Sequence, residues 1–182
     1  MQNNKIVIKD KKFKLLIEQK EIEIAVKKIA ERINQDYKGK KPIFLIVLKG
    51  AILFAADLIR YIDVHCEIEF ISAKSYGPNL ISSGEVQLGA IANKLNDRDV
   101  IIVEDIVDTG WTLKTLYGKI LEQNPKSITT CAILSKPDTR QINVELKYAG
   151  IEIPPYFVIG YGLDYDEEGR NLSNIYIIDY ED

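Results

Sequence analysis

Scarcity is the first constraint in this 182-residue chain, which holds one histidine, two cysteines, one tryptophan and one methionine. His65 lies in the apolar, strand-like run VHCEIEFI and reads as structural. Acid and base work therefore falls to carboxylates, lysine or tyrosine. Cys66 and Cys131 stand in separate strand-like runs without CxxC or Cys/His spacing, which argues against structural zinc and disulfides and makes both core residues. No apolar stretch approaches the roughly 20 residues of a membrane-spanning helix. The N-terminal MQNNKIVIKDKKFK lacks the long apolar core and cleavage site of a signal peptide, so the expectation is a cytoplasmic protein without membrane partners. A net charge of -3 gives no general argument for nucleic acid as a partner. The phosphate loop GxxxxGK[ST] is absent, and so is GxGxxG after a strand, which disfavours kinase-like and dinucleotide chemistry.

What is present is an ordinary globular composition, 46% hydrophobic and 28% charged, with no repeat, low-complexity tract or linker. The expectation is one domain over residues 1–182. Residues 5–15 read as a short hairpin or edge element. From Ile17 to Tyr37 the apolar positions Ile22, Val26, Ile29 and Ile33 recur at helical spacing. IFLIVL (43–48) reads as a buried strand, AILFAADLIRYI as a helix apolar on most of its surface, and residues 64–71 as a further strand. SAKSYGPNLISSG (72–84) is a loop of the length that is usually functional or disordered. Strands are expected at 85–91, 127–135, 156–160 and in NIYIIDY near the C-terminus. Strands alternating with helices predict an α/β fold, a mainly parallel sheet flanked by helices on both faces.

The organising stretch is VIIVEDIVDTGWT (100–112). The aliphatic run Val100–Val103 reads as a strand covered on both faces, the acids after it as a turn, and residues 112–123 as a helix. In open parallel sheets ligands bind at the carboxyl ends of strands, where a helix N-terminus offers free N–H groups to an anion. Three carboxylates there, Glu104, Asp105 and Asp108, call for a magnesium ion or a cationic reaction centre between them; the alternative is a solvated acidic loop. Leu48-Lys49-Gly50 faces the same crevice, with a cation and a glycine directly after a strand.

VIIVEDIVDTGWT resembles the phosphoribosyl-pyrophosphate signature of the type I phosphoribosyltransferases. LKG at 48–50, SYG with SSGEV at 75–86, Lys136-Pro137, and IPPYFVIGYGLDY with Arg170 resemble the hypoxanthine-guanine branch, in order along nearly the whole chain. The resemblance implies the type I fold with a small hood subdomain, and transfer of phosphoribosyl from phosphoribosyl pyrophosphate to 6-oxopurine bases with Mg2+. It assigns Glu104 and Asp105 to the ribose hydroxyls, directly or through magnesium, and Asp108 to proton transfer at the purine. Thr109, Gly110 and Thr112, with Trp111 in the same loop, take the 5-phosphate. Lys49 and Gly50 take pyrophosphate, entered through a peptide that is often cis in the family. Ser75 and Tyr76 belong to a lid, Lys136 donates to the 6-oxo group, Phe157 stacks on the base and the Val158 backbone faces its two-position. Asp164 holds a second magnesium and Arg170 contacts pyrophosphate. The family also suggests a homodimer or homotetramer.

Trp111 departs from the pattern, standing where many relatives carry a basic or small residue, and it leaves phosphate binding to backbone N–H groups and threonines. Tyr161 and Tyr165 read as packing. Two rivals remain at this point. One is a regulatory protein that uses the same fold to sense phosphoribosyl pyrophosphate and bind RNA or DNA. The other is a transferase for adenine or orotate, which predicts a non-acidic residue at 108 and lacks the LKG and FVIGYGLDY matches.

Overall fold

The computed structural model describes residues 5–75, 86–91 and 95–180. Its strands are β1 (Lys5–Ile8), β2 (Lys11–Ile17), β3 (Ile43–Leu48), β4 (Glu67–Ser75), β5 (Val86–Leu88), β6 (Asp99–Val107), β7 (Ser127–Ser135), β8 (Tyr148–Glu152), β9 (Val158–Ile159) and β10 (Ile175–Ile178). Its α-helices are α1 (Gln19–Asp36), α2 (Ile52–Ile59) and α3 (Trp111–Leu121). The larger sheet runs β5-β4-β3-β6-β7-β8, parallel throughout except for β5, which pairs antiparallel with β4. The fold is α/β, a mainly parallel sheet flanked by helices.

The aliphatic runs form the middle of this sheet because both of its faces are covered. In β6 the alternation of side chains divides one run between two cores. Ile101 and Val103 pack with α1 and α2 on one face, Val100 and Ile102 with α3 on the other, and all four are fully buried. α1 buries Ile22, Ala25, Val26, Ile29, Ala30 and Ile33, the stripe its spacing predicts. The helix begins two residues later than the spacing suggests, because Ile17 belongs to β2.

A second, antiparallel sheet, β1-β2-β10-β9, forms a hood. Phe13, Ile159, Tyr176 and Ile178 make its own small core. The buried Asp179 carboxylate lies 2.9 Å from Lys5 and 3.3 Å from Lys14, which ties the last hood strand to the first two.

Several sequence expectations are corrected. β6 continues through Glu104 and on to Val107, its pairing with β7 unbroken in direction as far as Val107 opposite Ser135, so Glu104 and Asp105 are strand residues and not a turn. Pairing with β7 alone, since the pairing with β3 ends at Val103, outweighs the polarity of two side chains that line a cavity. The strand expected at 64–71 starts at Glu67, leaving His65 exposed and Cys66 half-buried ahead of it. The strand at 85–91 is three residues long. β8 and the 3-10 turn Pro137–Thr139 have no counterpart in the sequence reading.

Two glycines test this architecture in opposite directions. Gly162 has φ +99, and a Cβ there would run into the Gly50 carbonyl. Gly162→Ala is expected to lower unfolding stability by about 2 kcal/mol or more in urea titrations. Gly118 is exposed within α3 and has open space around it. Gly118→Ala is expected to raise stability by about 0.5–1 kcal/mol in the same assay.

Candidate active site

The loops that follow β3, β6 and β7 at the carboxyl edge of the larger sheet open, together with hood residues, on one cavity of about 920 Å³. Lys49, Gly50, Glu104, Asp105, Asp108, Thr109, Gly110, Thr112, Lys136, Phe157, Val158, Asp164 and Arg170 all line it. These residues come from positions 49 to 170, and the topology brings them to one crevice. Tyr76 lies outside the described residues. Ser75 ends β4, and its side chain is also outside them.

At the floor are the two acids of β6. Glu104 is buried, and its carboxyl is held well above the ordinary range, first by loss of water and then by the neighbouring Asp105 charge. Asp105 is pushed up to about 6, mainly by burial, against a hydrogen bond of 2.8 Å from the Ile106 N–H to its own Oδ1. A Cβ at residue 50 would strike this carboxylate, so glycine there lets the β3 loop close over Asp105. The Leu48–Lys49 peptide is cis, as the resemblance implied.

Next along the chain, Gly110 caps α3 in the left-handed conformation, φ +91, and Thr112 and Leu113 of the first helical turn, whose N–H groups have no partner within the helix, line the cavity beside it. The Thr109 carbonyl accepts from Gln141 and Ile142, both at 3.0 Å, which pins this loop to the segment after β7. Trp111, the residue that departs from the family pattern, serves the same junction. Its indole donates to Gln141 Oε1 at 3.0 Å, and Lys114 lies 4.6 Å from the ring centroid. Arg140, from the same segment, also lines the cavity and donates to Ser135 Oγ at 3.0 Å.

At the end of β7, Lys136 is buried to 7% exposure, and its ammonium lies 2.8 Å from Asp108 Oδ2. Phe157 and the buried Val158 stand across the cavity. The Phe157 ring is braced edge-on by Tyr165 at 5.9 Å, and its carbonyl accepts from Ile178 at 2.9 Å. The packing role expected of Tyr165 is therefore a specific one. Tyr156 and Tyr180, both exposed and unread in the sequence, flank the mouth, 6.4 Å apart.

The remaining corner is cationic. Arg170 bonds Asp164 Oδ1 at 2.8 Å and donates to the Gly162 carbonyl at 2.9 Å, and this pair lines the cavity, about one quarter exposed. Glu167 was not singled out, yet its carboxylate bridges Lys49 at 2.9 Å and Arg170 at 3.2 Å. Its only sequence signal is a run of acids between Asp164 and Arg170.

Among the described residues no group of three or more His, Cys, Asp or Glu side chains makes a metal cage. Glu104, Asp105 and Asp164 still suit magnesium, which is held by one or two carboxylates together with substrate oxygens and water. Hard oxygen donors whose charge is poorly compensated by the protein fit that ion. No helix among the described residues is long and apolar enough to cross a membrane.

Comparison with known proteins places this geometry. The profile of the phosphoribosyl transferase domain matches residues 15–166. A hypoxanthine-guanine phosphoribosyltransferase of Mycobacterium tuberculosis is 42% identical over 172 residues, covering 91% of this chain and 85% of that protein. One from Aquifex aeolicus is 37% identical over 174 residues, covering 94% and 98%. The crystal structure of a hypoxanthine-guanine phosphoribosyltransferase from Bacillus anthracis superposes with a TM-score of 0.85 at 38% identity, covering 91% of this chain and 98% of that one.

The raised Asp105 value has a stability consequence with a definite sign. Below the ordinary carboxyl value of 3.8 the group is neutral in both states; between 3.8 and about 6 the unfolded chain releases the proton that the folded state still holds, so stability falls through that window and the loss is complete above about 6. Asp105→Asn is therefore expected to be more stable than the parent at pH 8 by on the order of 1–2 kcal/mol. The difference should vanish near pH 4, in urea unfolding without magnesium.

Proposed function

The chain belongs to the phosphoribosyl transferase domain family, and from that premise we propose that it is a purine-salvage transferase acting as one domain over residues 1–182. It moves the 5-phosphoribosyl group from phosphoribosyl pyrophosphate to hypoxanthine, and to guanine, giving IMP or GMP and pyrophosphate. The observation that carries this reading is the Lys136–Asp108 pair at 2.8 Å, beside Phe157 and Val158. A 6-oxopurine presents its oxo group and a ring nitrogen side by side on one edge. An ammonium donor next to a carboxylate acceptor matches that edge, whereas adenine offers an amino group where Lys136 needs an acceptor.

In the reaction the bond from the anomeric carbon to pyrophosphate breaks and a bond to the purine nitrogen forms. Asp108 takes the proton that leaves the ring, a role that typically contributes on the order of 10² to 10⁴ in rate. Phe157 stacks on the base, and the Val158 backbone meets its two-position. Thr109, Gly110, Trp111 and Thr112 form the 5-phosphate loop, with the N–H groups at the start of α3 and the two hydroxyls as donors. Glu104 and Asp105 hold the ribose hydroxyls and stabilise positive charge growing on the sugar. Lys49, Gly50 and Arg170 hold the leaving pyrophosphate. When bound through Glu104, Asp105 and Asp164, Mg2+ supplies positive charge that favours departure of the pyrophosphate. The lid role that the family resemblance assigns to Ser75 and Tyr76 belongs to this reading, since water would attack the same electrophile. Consumption of phosphoribosyl pyrophosphate and free bases puts this work in the cytoplasm, with no nucleic-acid or membrane partner.

Incubation with magnesium, phosphoribosyl pyrophosphate and each of hypoxanthine, guanine, xanthine and adenine tests the assignment. Nucleotide should form from hypoxanthine, and its absence with every 6-oxopurine would overturn the reading. Asp108→Asn is expected to keep substrate binding and lower kcat by about 10² or more.

We further infer a homodimer or homotetramer. Ile68 and Phe70 on β4 stay 44% and 55% exposed on the face that α1 and α2 cover elsewhere, and Ile52 at the start of α2 is 49% exposed. Three large apolar groups left uncovered on one side support an interface there. Phe70→Glu should shift the protein toward monomer in sedimentation velocity.

A further inference from the structure

Tyr161 is an unusual residue for packing alone. It is a non-glycine residue at φ +50, between two glycines at φ +99, and it is buried to 6% exposure. Its hydroxyl donates to Asp57 Oδ2 at 2.7 Å. Burial, and then this bond, raise the hydroxyl above the ordinary tyrosine value, so it remains a donor at working pH.

The bond joins two segments that the proposed reaction uses together. Asp57 lies on α2, which grows directly out of the Lys49–Gly50 loop through the bonds Ala51 N to Val47 O and Ile52 N to Lys49 O, both 3.3 Å. Tyr161 opens the turn that leads to Asp164 and is fastened to Arg170 by Gly162, whose N–H donates to the Arg170 carbonyl at 2.9 Å. Gly162 itself lies against the Gly50 carbonyl. The path from Gly50 along α2 to Asp57, across to Tyr161 and back through Gly162 to Gly50 is a closed ring. The two segments also meet through the Lys49–Glu167 ion pair, both partners of which are exposed, and through a glycine contact that has no directional strength, so the Asp57–Tyr161 bond is the link between them that lies away from solvent.

We propose that Asp57 and Tyr161 are a positioning pair that sets the separation of the Lys49–Gly50 loop from the Asp164–Arg170 turn, and with it the affinity for the pyrophosphate group. The inference rests on the transferase reading above. Neither side chain touches substrate; the pair acts through the loops it joins. Its effect is therefore confined to the pyrophosphate end, because Lys136, Phe157 and Val158 are held by other bonds.

The test compares Tyr161→Phe, Asp57→Ala and Asp57→Asn with the parent, with thermal unfolding as a check on folding. Tyr161→Phe and Asp57→Ala are expected to raise KM for phosphoribosyl pyrophosphate about tenfold, with KM for hypoxanthine within about twofold. Asp57→Asn keeps an oxygen that accepts from Tyr161 and should stay near the parent. The same order should hold in calorimetric titration with magnesium pyrophosphate, which needs no turnover. An unchanged KM for phosphoribosyl pyrophosphate, parallel changes in both KM values, or no rescue by asparagine overturns the pair's role. Should the parent make no nucleotide, the transferase reading fails, and the pyrophosphate titration still decides the pair: equal affinity in parent, phenylalanine and alanine variants overturns it.

Discussion

Two carboxyl groups that water cannot fully reach, Glu104 and Asp105, lie within the central strand, and the elements around them are shaped by their burial. A folded chain usually neutralises buried acids with a basic partner. Here desolvation dominates and both carboxyls are pushed upward in pKa. Their position follows from backbone pairing: β6 stays paired with β7 as far as Val107, past the end of its pairing with β3, and does not turn away to solvate two side chains. A cation, or a sugar that develops positive charge, therefore favours ionisation of these two carboxyls, which the free protein makes costly.

Close approach of backbone segments follows from the same constraint. Gly50 allows the loop after β3 to cover Asp105, and Gly162 allows the hood turn to lie on Gly50. Side chains at either position would force the three segments apart. With the segments in contact, cations at the rim reach inward, and Glu167 lies between Lys49 and Arg170 where an anionic group would be expected to bind. On the opposite wall Lys136 and Asp108 satisfy each other's charge while keeping their outer surfaces toward the cavity.

Much of this was legible in the chain. The aliphatic runs at 43–48 and 127–135 form strands with those limits, and the helical stripe from Ile22 to Ile33 is buried as its period predicts. Such patterns are local records of two covered faces or one. β8 escaped because Tyr148–Glu152 contains a glycine and lacks an aliphatic run; it forms by pairing with β7 at the sheet edge. The acids of β6 were read as a turn because polarity at a strand end usually marks one, and His65 was placed in a strand that begins two residues later. Asp57 and Arg140 carry no sequence signal, and Glu167 only its place in a run of acids, since ordinary charged residues acquire a role from what they face.

The amino-acid sequence by itself determined the alternation of strands and helices, the two-sided burial of the sheet, and the set of residues able to carry out the chemistry, because periodicity and residue type are local properties. Tertiary structure alone decided that the acids of VIIVEDIVDTGWT are strand residues, that Trp111 fastens the phosphate loop to Gln141, and that Tyr161 reaches Asp57 across 104 positions of chain. Those contacts depend on which distant segments the sheet order brings together, and no spacing along the chain encodes that distance.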